Sequence, residues 1–148
     1  MQAVTYSTLG EACDVLTLTE MPTPAPAANE VLVRLSVSGV NPSDVKSRRG
    51  RPGVTHPPFD QVISDGAGVI EVVGAGVDPA RVGQRVWIWN GQWQRPFGTA
   101  ATHIALPQAQ AVPLPDDVSF ETAASLGIPG LTAAHAVFNG GDVAGQTL

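Results

Sequence analysis

The chain of 148 residues has few of the groups from which many functional sites are built. It contains a single cysteine, Cys13, which excludes a disulfide within the chain and a zinc site made of several thiolates. Charged residues make up only 14%, and the net charge is −5. Nucleic-acid binding requires clustered positive charge, so we expect no nucleic-acid partner.

Long apolar runs are absent as well. No stretch approaches the ~18 consecutive apolar residues of a transmembrane helix. The N-terminus has no charged segment followed by an apolar one, as a secretory signal would. We therefore expect no membrane partner and a cytoplasmic location, where a lone cysteine stays reduced.

Glycine and proline, by contrast, are abundant, with 16 and 13 residues spread along the chain without a period. Such a distribution indicates frequent turns between short strands. Alternation is clearest over 31–40, where Val31, Val33, Leu35 and Val37 share one face. The pattern predicts strands over 1–7, 15–20, 31–40, 68–73, 84–89, 102–106 and 111–113.

Helical patterns are few and lie mostly near the end of the chain. A short helix is predicted over 43–49, closed by Gly50. Ser119 is a good cap for a helix over 120–126, Gly127 suits the left-handed position after it, and Pro129 opens another helix. That last helix carries a predicted packed face of Leu131, Ala134, His135 and Phe138. We expect a small β-barrel or sandwich over 1–118 and a helical connection over 119–148.

Metal and nucleotide motifs are not recognisable. Cys13, His56, His103 and His135 are far apart and form no zinc-binding spacing, so no metal site is predicted. We expect His135 in the core, His56 in an exposed loop and His103 in a strand without an evident partner. No G-x-G-x-x-G fingerprint occurs in the chain.

Two polar segments follow or precede strands, where side chains can be directed into a cleft. In the first, over 41–44 (NPSD), Asp44 either caps the short helix or lines a site. In the second, over 64–68 (SDGAG), the glycines either allow a sharp entry into a strand or border a site. The basic run Lys46, Arg48, Arg49 and Arg51 is either a solvated helix end or the rim of an anionic-ligand site.

Six segments in register resemble the medium-chain dehydrogenase/reductase superfamily, and within it the zeta-crystallin-like quinone oxidoreductases. They are 30–34 (EVLVR), 39–44 (GVNPSD), 64–69 (SDGAGV), 82–86 (VGQRV), 112–115 (VPLP) and 126–133 (LGIPGLTA). Zinc-bearing members of the superfamily have a cysteine in place of Asn41 and a His-Glu pair in place of Ser64 and Asp65. The resemblance therefore implies the zinc-free branch, a GroES-like partly open β-barrel, and a separate Rossmann domain that this chain lacks.

The chemistry implied by this resemblance is hydride transfer from NADPH to a quinone or a conjugated enone. Asn41 and Asp44 match polar positions of the family's nicotinamide and substrate cleft, and Thr132 matches a threonine at the nicotinamide end. Lys46 stands where many relatives have a tyrosine, which implies a different substrate preference. Trp87, Trp89 and Trp93 either wall the cleft for a flat substrate or pack under a long loop.

The resemblance also implies a homodimer for the full-length enzyme, and weak or no NADPH binding by this chain alone. Two other hypotheses stay open at this point. The chain is alternatively a stand-alone GroES-like domain with a non-catalytic binding or structural role, or a relative of zinc alcohol dehydrogenases, which metal analysis would test.

Overall fold

The computed structural model describes residues 1–50, 64–93, 95–141 and 144–145. Its strands are β1 (Gln2–Thr5), β2 (Thr17–Glu20), β3 (Glu30–Gly39), β4 (Asp65–Val73), β5 (Arg85–Ile88), β6 (His103–Pro107) and β7 (Ala111–Pro113). Its helices are α1 (Ala12–Val15), α2 (Pro42–Arg49), α3 (Phe120–Ala123) and α4 (Leu131–Phe138). Two 3₁₀ turns (Pro79–Arg81 and Gln108–Gln110) and a π turn (Leu126–Gly130) complete the described secondary structure.

Five strands form one antiparallel sheet in the order β6-β3-β4-β5-β7, and β1 pairs with β2 in a separate two-stranded sheet. The small sheet joins the large one through a bridge between Ala3 and Ala101 and a hydrogen bond from the Val4 N–H to the Ala100 carbonyl at 2.7 Å. Within the described residues, the two sheets do not close into a complete barrel. The predicted mainly β fold with a partly open barrel is therefore confirmed.

The core is formed by the inward faces of the five-stranded sheet. Strand β3 buries Val31 and Val33 completely, but Leu32, which the alternation assigns to the opposite face, is buried too, at 6% exposure. Two register shifts in its pairing with β4, after Leu32 and after Leu35, bend the sheet around this core. The buried cluster consists of Val31, Val33, Ile70, Val77, Val86, Ile88, Ile104, Leu106 and Ala111.

Strand β4 begins at Asp65, three residues before the predicted start at 68. A Cβ at Gly68 would lie 2.1 Å from the carbonyl oxygen of Arg34 in β3. Gly68, which suggests a turn in the sequence, therefore allows the backbones of β3 and β4 to approach closely within the sheet.

The helical segment differs most from the sequence expectation. Gly127 does not follow a helix in the left-handed conformation; it lies in the π turn, where a Cβ would be 2.1 Å from Asp65 Oδ1. The predicted packed face on α4 is wrong for the described residues, because Leu131 and Phe138 are 45% and 64% exposed and His135 is exposed too. Periodicity shows that a face is apolar but not which element covers it.

Candidate functional site

Asn41 lies between the end of β3 and the start of α2, and it is 3% exposed. Pro42 occupies the first helical position, which requires no N–H donor. The Asn41 N–H donates to Asp44 Oδ2 at 2.7 Å, and the Asp44 N–H donates to the Asn41 carbonyl at 3.0 Å. The predicted capping role of Asp44 is confirmed, and it fixes the Asn41 backbone.

Asp65, which belongs to the polar segment 64–68 but is not among the predicted site residues, connects three parts of the chain. It is completely buried at the start of β4. Its Oδ2 accepts hydrogen bonds from Asn41 Nδ2 and from the Ile128 N–H, both at 2.8 Å. Its carbonyl oxygen accepts a third from Thr99 Oγ1 at 2.6 Å. One carboxylate thus orients the Asn41 amide and holds the π turn against the sheet.

The electrostatics of this cluster are unusual because two buried carboxyl groups share Asn41. Burial raises the pKa of Asp65, and hydrogen bonds from Ile128 and Asn41 oppose the rise. Burial also raises the pKa of Asp44; the Asn41 hydrogen bonds oppose this, and the Asp65 charge adds to it. Among the described residues, Asp65 Oδ1 has no hydrogen-bond partner. The ionised form of each carboxyl is therefore less favourable in the folded protein than in the unfolded chain.

These raised pKa values predict how stability depends on pH. A carboxyl whose pKa is higher in the folded state contributes stability that is fully present below its unfolded pKa and is lost as pH rises through the folded pKa. We expect the free energy of unfolding to fall from about pH 4 upward, and to fall less steeply in the Asp65→Asn variant. Urea unfolding of both proteins at a series of pH values measures this. Parallel pH profiles would contradict the prediction.

A depression of about 180 Å³ lies above Asn41. One wall is the end of β3, and the other is the turn that follows α3. The lining residues are Val37, Ser38, Gly39, Val40, Asn41, Glu121, Ala124, Ser125 and Pro129. The depression is therefore bounded by two of the six segments that carry the family resemblance.

The other predicted site residues lie elsewhere. Asp44 is buried beneath Asn41, whereas Lys46 is exposed on α2 and does not line the depression. Thr132 is exposed on α4, three residues after Pro129, and does not line the depression either. The structure therefore brings Asn41 and Asp44 together with Asp65, and it leaves Lys46 and Thr132 on the surface.

The tryptophans do not wall this depression. Trp87 is half-buried and packs on a second buried apolar cluster, formed by Ala67, Leu114, Ala123 and Ala124. Trp89 and Trp93 line a different depression.

The basic run is divided between core and surface. Arg48 is buried and donates to the Gly10 carbonyl, whereas exposed Arg49 pairs with Glu11 at 2.8 Å. Arg51 lies outside the described residues. Arg48 and Arg49 are thus occupied with contacts to the segment around Gly10, and Lys46 is exposed.

The histidines provide no metal cluster in the part of the chain that the structure describes, where no three His, Cys, Asp or Glu side chains are close enough to hold an ion. The expectation that His103 lacks a partner is wrong, because its Nε2 lies 3.1 Å from Glu71 Oε2 and its Nδ1 3.0 Å from Thr102 Oγ1. Glu71 comes from β4, which is separated from the strand of His103 by β3, and no local sequence pattern indicates this contact. His56 lies outside the described residues.

Within the described ranges, no helix has the length and apolar character needed to cross a membrane.

Comparison with known proteins gives a consistent result. Residues 27–116 match the family model of the alcohol dehydrogenase GroES-like domain. The chain is 34% identical to a quinone oxidoreductase of Rattus norvegicus over 120 aligned residues. The alignment covers 78% of the chain and 34% of that relative. The chain thus spans about a third of the length of this curated relative.

Solved structures agree with the sequence match. A quinone oxidoreductase of Pseudomonas syringae pv. Tomato DC3000 has a TM-score of 0.82 at 34% identity, over 96% of this chain and 42% of that one. The Escherichia coli quinone oxidoreductase complexed with NADPH has a TM-score of 0.84 at 25% identity, over 97% of this chain and 42% of that one. The described fold is therefore the fold of the N-terminal part of these enzymes.

Proposed function

Because the chain belongs to the alcohol dehydrogenase GroES-like domain family, we propose that it is the catalytic-domain portion of a zinc-free, NADPH-dependent oxidoreductase. The proposed substrates are quinones or conjugated enones, reduced by hydride transfer. The observation that carries the proposal is the buried Asn41–Asp65 pair beneath the depression. The names of the relatives support the reaction class.

The depression fits only one end of a dinucleotide. Its volume of about 180 Å³ is below the roughly 300–1,000 Å³ of typical ligand sites. Asn41 and Thr132 are the residues that we propose to contact the nicotinamide end. The cofactor supplies the hydride when bound.

We expect this chain alone to bind NADPH weakly or not at all. The chain has no G-x-G-x-x-G loop for a pyrophosphate, so the residues that usually supply most of the binding energy are not among its own. Calorimetric titration of the chain with NADPH tests this, and saturable binding in the micromolar range would contradict it.

Asn41 is the residue that we propose to act directly in the reaction. Its amide is fixed on one side by Asp65 and its backbone by Asp44, so it can orient a bound ring without losing much side-chain entropy. Asp44 is already hydrogen-bonded to Asn41, so we propose a positioning role for its carboxylate rather than direct contact with substrate. Exposed Lys46 is proposed to influence which substrate binds.

The test is turnover by the product of the complete coding sequence, followed as loss of NADPH absorbance with a panel of quinones and enones. We expect the Asn41→Ala variant to lower kcat/KM by at least about tenfold, because one oriented hydrogen bond to the reacting groups is lost. The exposed Asn139→Ala variant is the matched control and should leave turnover unchanged. Absence of turnover with every acceptor at high enzyme concentration would reject the function and favour the non-catalytic binding role.

A further inference from the structure

A second depression, larger than the one at Asn41, lies beyond the end of β5. Its volume is about 530 Å³, within the range of roughly 300–1,000 Å³ typical of small-molecule sites. It shares no lining residue with the Asn41 depression. The lining residues are Trp89, Asn90, Trp93, Arg95, Pro107, Ala109 and Gln110.

Two indole rings form its apolar walls, and local hydrogen bonds fix both positions. Trp89 Nε1 donates to the Ala109 carbonyl at 3.2 Å, which holds that ring against the turn after β6. Asn90 has a φ of 51°, a left-handed conformation that asparagine adopts more readily than most residues. The Trp93 N–H then donates to the Asn90 carbonyl at 3.0 Å. This turn presents the Trp93 side chain, which is 65% exposed.

Arg95 supplies a half-buried positive charge between these walls. Its Nη2 donates to Gln110 Oε1 at 2.7 Å, and Gln110 Nε2 is held by the carbonyls of Trp89 and Asn90 at 3.1 and 3.0 Å. Arg95 Nη1 is buried without a hydrogen-bond partner among the described residues. Burial lowers the pKa of this guanidinium, and the Glu30 carboxylate opposes that change. A buried charged donor without an acceptor costs free energy, which an anionic acceptor would offset.

The charge around the depression favours an anion. Among the described residues that line it, Arg95 alone is charged. Arg95 also lines a neighbouring depression of about 340 Å³, together with Glu30, Met1, Met21 and Phe97, so the Glu30 carboxylate belongs to that other depression. An anion that binds in the depression lined by the two tryptophans can therefore approach the Arg95 guanidinium, and no carboxylate is among the described residues that line the same depression.

From these observations we propose that the depression bounded by Trp89, Trp93 and Arg95 binds a planar aromatic carboxylate. The ring lies against the two indoles, and the carboxylate accepts hydrogen bonds from the guanidinium, whose planar fork matches its geometry. The site does not depend on the proposed oxidoreductase function, because it uses none of the residues around Asn41.

Calorimetric titration of the chain with 2-naphthoate tests the proposal, with uncharged 2-naphthylmethanol as the comparison ligand. We expect saturable binding of the carboxylate and at least about tenfold weaker binding of the alcohol, because a charge-assisted hydrogen bond is lost. The Arg95→Met variant should weaken naphthoate binding by a similar factor. The Arg49→Met variant removes the same charge from an exposed ion pair and should change the affinity less than about twofold. Equal binding of both ligands, or unchanged binding by Arg95→Met, would overturn the proposal.

The three tryptophans provide an independent spectroscopic readout. The indole N–H resonances of Trp89 and Trp93 should shift with naphthoate, whereas that of Trp87, which packs on the buried cluster around Leu114, should not. The exposed Trp93→Leu variant keeps the test independent of any folding defect in Arg95→Met, and it should weaken binding too. If the Trp89 and Trp93 indole resonances shifted with protein concentration in the absence of ligand, the depression would be a self-association surface, and the proposal would be overturned.

Discussion

Replacing Asp65 with alanine is expected to lower the free energy of unfolding by about 2–5 kcal/mol, because a buried donor that loses its acceptor costs roughly 1–3 kcal/mol and a second, part-buried donor loses the same acceptor. These donors are Asn41 Nδ2 and the Ile128 N–H, both 2.8 Å from Asp65 Oδ2. Their loss would free the π turn from the sheet and leave the Asn41 amide unoriented. Equilibrium urea unfolding, followed by circular dichroism, measures the change.

Two further variants separate the hydrogen bonds from the charge. Asp65→Asn keeps a carbonyl oxygen for the same donors and removes a buried charge, so we expect a loss below about 1 kcal/mol. Asp116 is fully exposed, and Asp116→Ala should change stability by no more than about 0.5 kcal/mol. The proposed role of Asp65 would be wrong if Asp65→Ala were as stable as Asp116→Ala.

The strands were the most predictable part of the fold, because each carries its own pattern. Alternation identified β3 almost to the residue, and β7 was predicted with its observed bounds. The helix α2 was also predictable, since Pro42 and Asp44 favour its start and Gly50, with a φ of 84°, its end. In these elements the local preferences agree with the tertiary structure.

The contacts that build the candidate site could not be predicted in the same way. The Asp65 side chain bonds to residues 24 and 63 positions away, and no local pattern marks such pairs. His103 in β6 likewise contacts Glu71 in β4, on the other side of β3, and these residues are also far apart in the sequence. Gly127 is the clearest example of a residue whose role depends on a distant contact that the sequence does not show. A glycine after a helical pattern suggests a left-handed cap, whereas here the missing side chain makes room for the Asp65 carboxylate.

Replacing Gly39 with alanine is the second change for which we expect a large effect, a loss of about 3 kcal/mol of stability from overpacking. A Cβ at this position would lie 2.3 Å from the carbonyl oxygen of Ala124 and 3.4 Å from Asp65 Cβ. The first contact is with backbone, so it cannot be relieved by rotating a side chain. The end of β3 and the turn after α3, which form the two walls of the Asn41 depression, would have to move apart.

This displacement should affect activity as well as stability, since productive hydride transfer depends on the relative placement of the two walls. We expect Gly39→Ala in the complete enzyme to lower kcat/KM at temperatures where circular dichroism shows a folded protein. Gly140→Ala is the matched control, because a Cβ there would meet nothing within 4 Å and its φ is not positive. It should leave unfolding and turnover unchanged. If both alanine variants unfolded at the same urea concentration, the close approach of β3 to Ala124 would not be required for the fold.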